Sequence, residues 1–204
     1  MPRIIAGALK GRRLIVPRGP TTRPTADQVR IALMDALTPY LAAARLLDLF
    51  AGAGGVGLEA LSRGAAHATF VERDARAAAA LRDNIDGLGL GAQTRVLRED
   101  IGRALSRLER EGERFHLVFL DPPYETGLAA AALTSLAGGV LLTAPGIVVA
   151  QHLTKRPPAI GAGGLVMYRT RRFGETTLTF FRPGAYDASS RPPPTDDTGT
   201  GASE

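Results

Sequence analysis

The sequence of 204 residues contains no cysteine and only three histidines, His67, His116 and His152. Without thiols there is no disulfide framework, no thiol nucleophile and no cysteine zinc site, and the scattered histidines have no metal-ligand spacing. No apolar run is long enough to span a bilayer, and the N-terminus lacks the paired charged and apolar segments of a signal peptide. We therefore expect a cytoplasmic protein that uses no metal.

Positive charge is concentrated in two parts of the chain. Residues 1–35 carry seven basic residues against Asp27 and Asp35, which gives this segment a net charge of +5. A second basic set lies near the end of the expected folded part and comprises Arg169, Arg171, Arg172 and Arg182. Guanidinium groups match phosphate oxygens, so both sets are candidate phosphate contacts. A solvated basic face explains the charge alone equally well.

The pattern of apolar residues divides the chain into three parts. Residues 1–40 indicate a basic arm, extended or folded as a hairpin, followed by a helix. Over residues 41–183, near-continuous apolar strands alternate with helices, and two last strands surround "RRFGET". This alternation predicts an α/β fold with a doubly wound, mostly parallel, seven-stranded sheet. Residues 184–204 have almost nothing to bury and are expected to be a disordered tail.

A glycine-rich loop follows the first predicted strand. Gly52, Gly54 and Gly57 form a G-x-G-x-x-G pattern between that strand and a helix, which is typical of a nucleotide-cofactor loop. Glu72 ends the second strand twenty residues after Gly52, where a carboxylate can accept hydrogen bonds from ribose hydroxyls. The alternative is a glycine-rich turn that only packs a helix against a strand.

These residues leave the cofactor open between NAD and S-adenosylmethionine, and two carboxylates favour the latter. Asp48, just before the loop, could hold a cationic amino group but would oppose a pyrophosphate. Asp100, at the end of the third strand, could accept from an adenine amino group. Successive strand ends of this kind outline a pocket at the switch point of a doubly wound sheet. The neighbouring residues that complete the predicted cofactor-binding set are Phe50, Arg73 and Ile101.

The tetrapeptide Asp121, Pro122, Pro123 and Tyr124 ends the fourth predicted strand. The exocyclic amine of a nucleobase is a poor nucleophile because its lone pair is delocalised into the ring. The Asp121 carboxylate and the Pro122 carbonyl can accept both amino hydrogens, which favours a pyramidal nitrogen that faces a methyl sulfonium. The prolines fix the direction of the carbonyl, and Tyr124 can stack on a base taken out of its helix. The alternative is a proline-rich strand end with a half-buried tyrosine.

Six segments, in this order, resemble the bacterial 16S ribosomal RNA guanine-N2 methyltransferases of the RsmD type. They are "RIIAGALKGRRL", "RPTADQVRIALMDAL", "LLDLFAGAGGVGLEALSRGA", "FVERD", "LDPPY" and "RRFGETTLTFF". The resemblance covers residues 3–182 and implies a class I methyltransferase sheet, S-adenosylmethionine as donor and a guanine amino group of small-subunit RNA as acceptor. It also implies that residues 121–124 bind the target amine. The residues that it implies bind the cofactor are Asp48, Gly52, Gly54, Gly57, Glu72 and Asp100. The arm residues that would meet RNA are Arg3, Lys10, Arg12, Arg13 and Arg23.

Other functions remain possible on the sequence. One is methylation of another amine, such as adenine N6 in nucleic acid or a protein glutamine amide. Another is a non-catalytic RNA-binding assembly factor that keeps the fold. An NAD dehydrogenase is disfavoured because no residues offer acid–base chemistry for hydride transfer and the Asp-Pro-Pro-Tyr motif would be unexplained. A monomer is the default expectation.

Overall fold

The computed structural model describes residues 2–17, 24–123, 127–158 and 164–184, with the backbone alone at 24–26. The strands are β1 (Arg45–Asp48), β2 (His67–Val71), β3 (Thr94–Leu97), β4 (Phe115–Leu120), β5 (Leu142–Leu153), β6 (Leu165–Phe173) and β7 (Thr176–Pro183). The α-helices are α1 (Pro24–Leu41), α2 (Gly55–Ser62), α3 (Ala75–Leu88), α4 (Ile101–Arg110) and α5 (Leu128–Gly138).

All seven strands form one sheet, in the order β3-β2-β1-β4-β5-β7-β6. The pairings among β1 to β5 are parallel, whereas β7 runs antiparallel to both β5 and β6. The predicted α/β class and mostly parallel sheet are therefore confirmed. Because β1 lies beside β4, the loops after these two strands are neighbours at the switch point, where ligands bind in open α/β sheets.

Apolar side chains cover both faces of the sheet. One cluster contains Phe70, Phe119 and Phe180 together with apolar residues of α1, α2 and α3. The other contains Phe115 and Phe181 with residues of α4 and α5. Successive residues of a strand point to opposite faces, which is why the neighbours Phe180 and Phe181 belong to different clusters.

The N-terminal arm folds back on itself and packs on α2. Arg3 and Arg13 form an antiparallel bridge, and the buried side chains of Ile4 and Leu14 join the cluster beneath α1. The chain approaches α2 so closely at Gly7 that a Cβ there would lie 1.9 Å from the Ser62 carbonyl oxygen. The arm thus shares a core with the sheet, while the proposed boundary at residue 40 stays a prediction.

The strand and helix ends follow the local chemistry. Asp74 caps α3 as its position suggests, since its side chain accepts from Ala77 N at 2.9 Å. β5 begins at Leu142, which pairs with Phe115 ahead of an irregularity in the ladder. No helix among the described residues is long and apolar enough to cross a membrane.

Candidate active site

A cavity of about 120 Å³ opens at the carboxyl ends of β1 to β4. Six residues singled out from the sequence line it: Phe50, Glu72, Arg73, Asp100, Ile101 and Pro123. Four others, which the sequence did not single out, complete the lining: Leu49, Val71, Glu99 and Leu128. The strand ends therefore come together as expected for a switch-point pocket.

The three glycines of the loop have different surroundings. A Cβ on Gly57 would lie 2.2 Å from the Phe70 ring, and one on Gly54 would lie 2.4 Å from the Leu81 side chain. Gly52 has a φ of +54°, and a Cβ on it would meet nothing within 4 Å. Gly54 and Gly57 therefore allow close packing of α2, whereas Gly52 leaves open space against the backbone.

Glu72 connects the loops that follow β1 and β2. Its Oε2 accepts from Gly52 N at 2.8 Å, and its Oε1 accepts from Asp74 N at 2.7 Å. The half-buried carboxylate still lines the cavity, so its remaining lone pairs are available to a ligand.

Asp48 is a buried carboxyl group directly below the glycine loop, with 1% of its surface exposed. Burial raises its pKa to about 7, and the charges of Asp121 and Glu72 add to this effect. Hydrogen bonds from the Gly57 and Phe50 backbone act in the opposite direction. Its Oδ1 has no hydrogen-bond partner among the described residues. A buried carboxylate oxygen without a partner is the feature that a cationic ligand group would complete.

Asp121 directly follows β4, next to the loop that follows β1. Its side chain is half-buried, and burial raises its pKa to about 7. Pro122 is buried, whereas Pro123 is exposed and lines the cavity. The predicted stacking role of Tyr124 concerns a residue outside the described ranges and stays a prediction.

Two neighbouring carboxylates follow β3 and border the cavity. Asp100 caps α4, since its Oδ1 accepts from Gly102 N at 2.8 Å. Glu99 lies 3.2 Å from the Arg107 guanidinium and is the charged lining residue that the sequence reasoning missed. The sequence contains a signal for it, because the acidic pair Glu99-Asp100 follows β3 with only Arg98 between them. Within the described ranges, no three His, Asp or Glu side chains are grouped so that they could hold a metal ion.

The basic residues of the arm lie outside the cavity. Exposed side chains are found at all four of the predicted RNA-binding positions that are described: Arg3, Lys10, Arg12 and Arg13. Arg12 donates from Nη2 to the Gly87 carbonyl at the end of α3, at 2.5 Å. The fifth predicted position, Arg23, is outside the described ranges.

The sheet order, the glycine loop after β1 and the carboxylates after β2, β3 and β4 define a class I methyltransferase, the class that takes S-adenosylmethionine as methyl donor. The model of the family described as Conserved hypothetical protein 95 matches residues 2–182, and the chain belongs to this family. The resemblance to RsmD-type methyltransferases is thereby confirmed.

Known relatives agree with this assignment. YlbH of Bacillus subtilis (strain 168), provisionally named an rRNA methyltransferase, is 38% identical over 180 residues, which are 88% of this chain and 98% of YlbH. The Ribosomal RNA small subunit methyltransferase D of Escherichia coli (strain K12) is 42% identical over 134 residues, which are 66% of each chain. The structure of yhhF from Escherichia coli, a provisionally named methyltransferase, superposes with a TM-score of 0.77 at 32% identity, over 89% of this chain and 97% of yhhF.

Proposed function

We propose that this protein transfers the methyl group of S-adenosylmethionine to the exocyclic N2 amine of a guanine in small-subunit ribosomal RNA. The names of its relatives, which refer to ribosomal RNA and to its small subunit, support this choice of substrate. Ribosomal RNA as the substrate would also place the protein in the bacterial cytoplasm. The observation that carries the proposed chemistry is the half-buried carboxyl group of Asp121, followed by the buried Pro122, at the switch point beside the glycine loop.

The acceptor amine would lie between Asp121 and the Pro122 carbonyl. When it is ionised, the Asp121 carboxylate accepts one amino hydrogen and the carbonyl oxygen of Pro122 accepts the other. These two hydrogen bonds draw the nitrogen lone pair out of conjugation with the base and orient it for attack. Orientation and local electrostatics then supply the rate enhancement, without a covalent enzyme intermediate.

The residues around the cavity fit S-adenosylmethionine. The Asp48 Oδ1 that has no hydrogen-bond partner among the described residues would pair with a cationic group, and the open space at Gly52 would admit the ligand against the backbone. The free lone pairs of Glu72 would accept from ribose hydroxyls, and Asp100 would accept from the adenine amino group. Apolar residues such as Leu49 and Ile101 would cover the adenine ring. When bound, the cofactor supplies the electrophilic methyl group.

The N-terminal arm would bind the phosphate groups of the RNA. Arg3, Lys10 and Arg13 are exposed, and no carboxylate among the described residues forms an ion pair with them. When exposed cations of this kind contact phosphate groups, they displace counterions that are condensed on the RNA, and the release of these ions favours binding.

The test is transfer of labelled methyl to small ribosomal subunits from cells that lack this protein. Protein-free ribosomal RNA and DNA are compared in parallel, and the labelled nucleoside is identified. We expect N2-methylguanosine with the wild-type protein. We expect a loss of at least roughly a hundredfold in the rate with Asp121→Ala. Asp83→Ala, which removes an exposed carboxylate of α3, is the control that keeps full activity.

Three outcomes would count against the proposal. Full activity of Asp121→Ala would exclude the mechanism. Label only on DNA or protein would keep the chemistry but exclude the substrate. Cofactor binding without transfer to any acceptor would favour an assembly factor.

A further inference from the structure

The edge strand β6 presents arginines on both faces of the sheet. Arg169 pairs across the ladder with Phe180 and Arg171 pairs with Leu178, and both partners belong to the cluster beneath α1. Directly opposed residues of paired strands share a face, so Arg169 and Arg171 lie on that face of the sheet. Arg172 pairs with Thr177 and lies on the other face. β6 ends the strand order, so one of its edges carries no further strand of this sheet.

Aromatic contacts hold this part of the hairpin in place. The Arg169 guanidinium lies 5.8 Å from the centroid of the Phe180 ring, and the Arg182 guanidinium lies 5.4 Å from that of Tyr168. Tyr168 and Phe180 meet edge to face at 6.3 Å. Stacked guanidinium groups lose little conformational freedom when they bind a ligand, because their orientation is already restricted.

The arginines of β6 differ from those of the parallel strands in their electrostatic partners. Arg45 of β1 and Arg95 of β3 each form an ion pair with a glutamate. In contrast, no carboxylate of the described ranges pairs with the β6 set Arg169, Arg171 and Arg172. A guanidinium group without an internal anion is available to an external one.

The turn of the hairpin between β6 and β7 lies at the same end of the strands as the candidate active site. Asp121 comes one residue after the pair Leu120–Ala150, which brings it level with Gln151 of β5. Gln151 pairs with Leu178, and Leu178 pairs with Arg171. Arg171 is therefore three strand spacings from Asp121, or about 14 Å along the sheet. An RNA segment whose target base reaches Asp121 can also contact Arg171.

We infer that the β6 arginines Arg169, Arg171 and Arg172 form a second phosphate-binding surface for the RNA substrate, separate from the N-terminal arm. This inference rests on the proposed function. Strand addition by a second copy of the chain is disfavoured, because antiparallel pairing of two β6 strands would bring their arginines close together. A polyanion has the complementary charge, and the arginine fork matches its phosphate oxygens.

The experiment compares two double variants with the same change in charge. Arg169→Gln/Arg171→Gln alters the surface, whereas Arg110→Gln/Arg114→Gln removes two exposed arginines near the amino end of the central strand β4, at the opposite strand end from Asp121. Affinity for protein-free small-subunit RNA and for the assembled subunit is measured over a range of salt concentrations, and methyl transfer to each is measured in parallel. Affinity for S-adenosylmethionine and the midpoint of thermal unfolding serve as readouts of an intact fold.

We expect the β6 variant to bind RNA roughly tenfold more weakly or worse, with a salt slope that is smaller by about 1 to 1.5. The cofactor affinity should be unchanged, and the control variant should behave as the wild type.

Equal RNA affinities of the two variants would overturn the inference while leaving the proposed function intact. So would a β6 variant that binds naked RNA normally but methylates the assembled subunit poorly, because that result would indicate contact with a ribosomal protein. A wild-type protein that binds RNA through β6 but methylates none would overturn the proposed function alone. One that binds neither protein-free RNA nor the assembled subunit would overturn both.

Discussion

The side-chain amide of Asn84 in α3 binds both backbone groups of Ile15 in the N-terminal arm. Ile15 N donates to Oδ1 at 2.7 Å, and Nδ2 donates to the Ile15 carbonyl at 2.8 Å. The same Nδ2 donates at 3.0 Å to the carbonyl of Ala53, within the glycine loop. One buried side chain therefore connects the arm proposed to bind RNA with the loop proposed to bind the cofactor.

We predict that Asn84→Ala weakens cofactor binding as well as stability. The change leaves three backbone groups without their partner, and each unsatisfied buried group costs about 1 to 3 kcal/mol if water cannot replace it. Because the Ala53 carbonyl is among them, the loop loses one of its supports. Titration calorimetry with S-adenosylmethionine and thermal unfolding measure the two effects.

Asn84→Asp is the matched variant, since it keeps the acceptor for Ile15 N but loses both donated hydrogen bonds. We expect it to keep one of the two hydrogen bonds to the arm and to lose the one to the loop. Normal cofactor affinity in Asn84→Ala would show that the arm and the loop are independent.

Methyl transfer is predicted to rise with pH up to about 7 and then level off. The Asp121 carboxyl group has a pKa of about 7 because it is buried, so below that pH it is neutral and one of its oxygens carries a proton. The neutral carboxyl group still has one oxygen that can accept the amino hydrogen, but without the negative charge this hydrogen bond is weaker and orients the amine less firmly. Single-turnover rates at subsaturating RNA, from pH 5.5 to 8.5, measure this dependence, because they report the pKa of the free enzyme. A flat profile would mean that Asp121 ionisation plays no part in the chemical step.

The contribution of Asp48 and Asp121 to the free energy of unfolding of the ligand-free protein should fall as the pH rises from about 4 to 7. Asp48 and Asp121 have pKa values of about 7 in the fold, above the usual value of 3.8, so folding favours their protonated forms. Their stabilising effect is complete below the unfolded-state pKa and is lost as the pH rises through the folded-state pKa. For Asp48 the loss is on the order of 2 to 4 kcal/mol.

Asp48→Asn should remove this share of the pH dependence, because an amide does not titrate. Denaturant unfolding at pH 4.5, 6 and 7.5 gives the comparison with the wild type. The same variant should bind S-adenosylmethionine more weakly, since it lacks the negative charge. Identical pH slopes for both proteins would contradict the assigned pKa of Asp48.

The glycines of the loop should separate stability from ligand binding. Gly57→Ala should destabilise the fold by about 1 to 3 kcal/mol, because its Cβ would overlap the Phe70 ring. Gly52→Ala should cost only about 1 to 2 kcal/mol, from the left-handed backbone alone. Its larger effect should be on cofactor affinity, because the methyl group enters the open space beside the loop. Equal cofactor affinities of Gly52→Ala and the wild type would show that the ligand lies elsewhere.

The sequence by itself determined the alternation of strands and helices and the residues that follow each strand. Apolar runs such as "FHLVFL" end at a charge or a turn residue, and this boundary depends on local chemistry alone. For the same reason the Asp74 cap and the glycine loop could be predicted, since each involves residues close in the chain. The six ordered segments made the methyltransferase family recognisable before any contact was known.

Only the tertiary structure decided which of these residues face open space and which pack against other side chains. Gly52 and Gly57 are equivalent in the sequence pattern, but the distant Phe70 fills the space at Gly57 and leaves Gly52 open. Asn84 of α3 contacts Ala53 of the glycine loop, 31 residues earlier in the chain, and Glu99 lines the cavity together with Leu49 and Leu128, which are distant from it in the sequence. The pKa of Asp48 likewise follows from burial by the whole sheet. Desolvation and packing are sums over distant neighbours, which a local pattern does not contain.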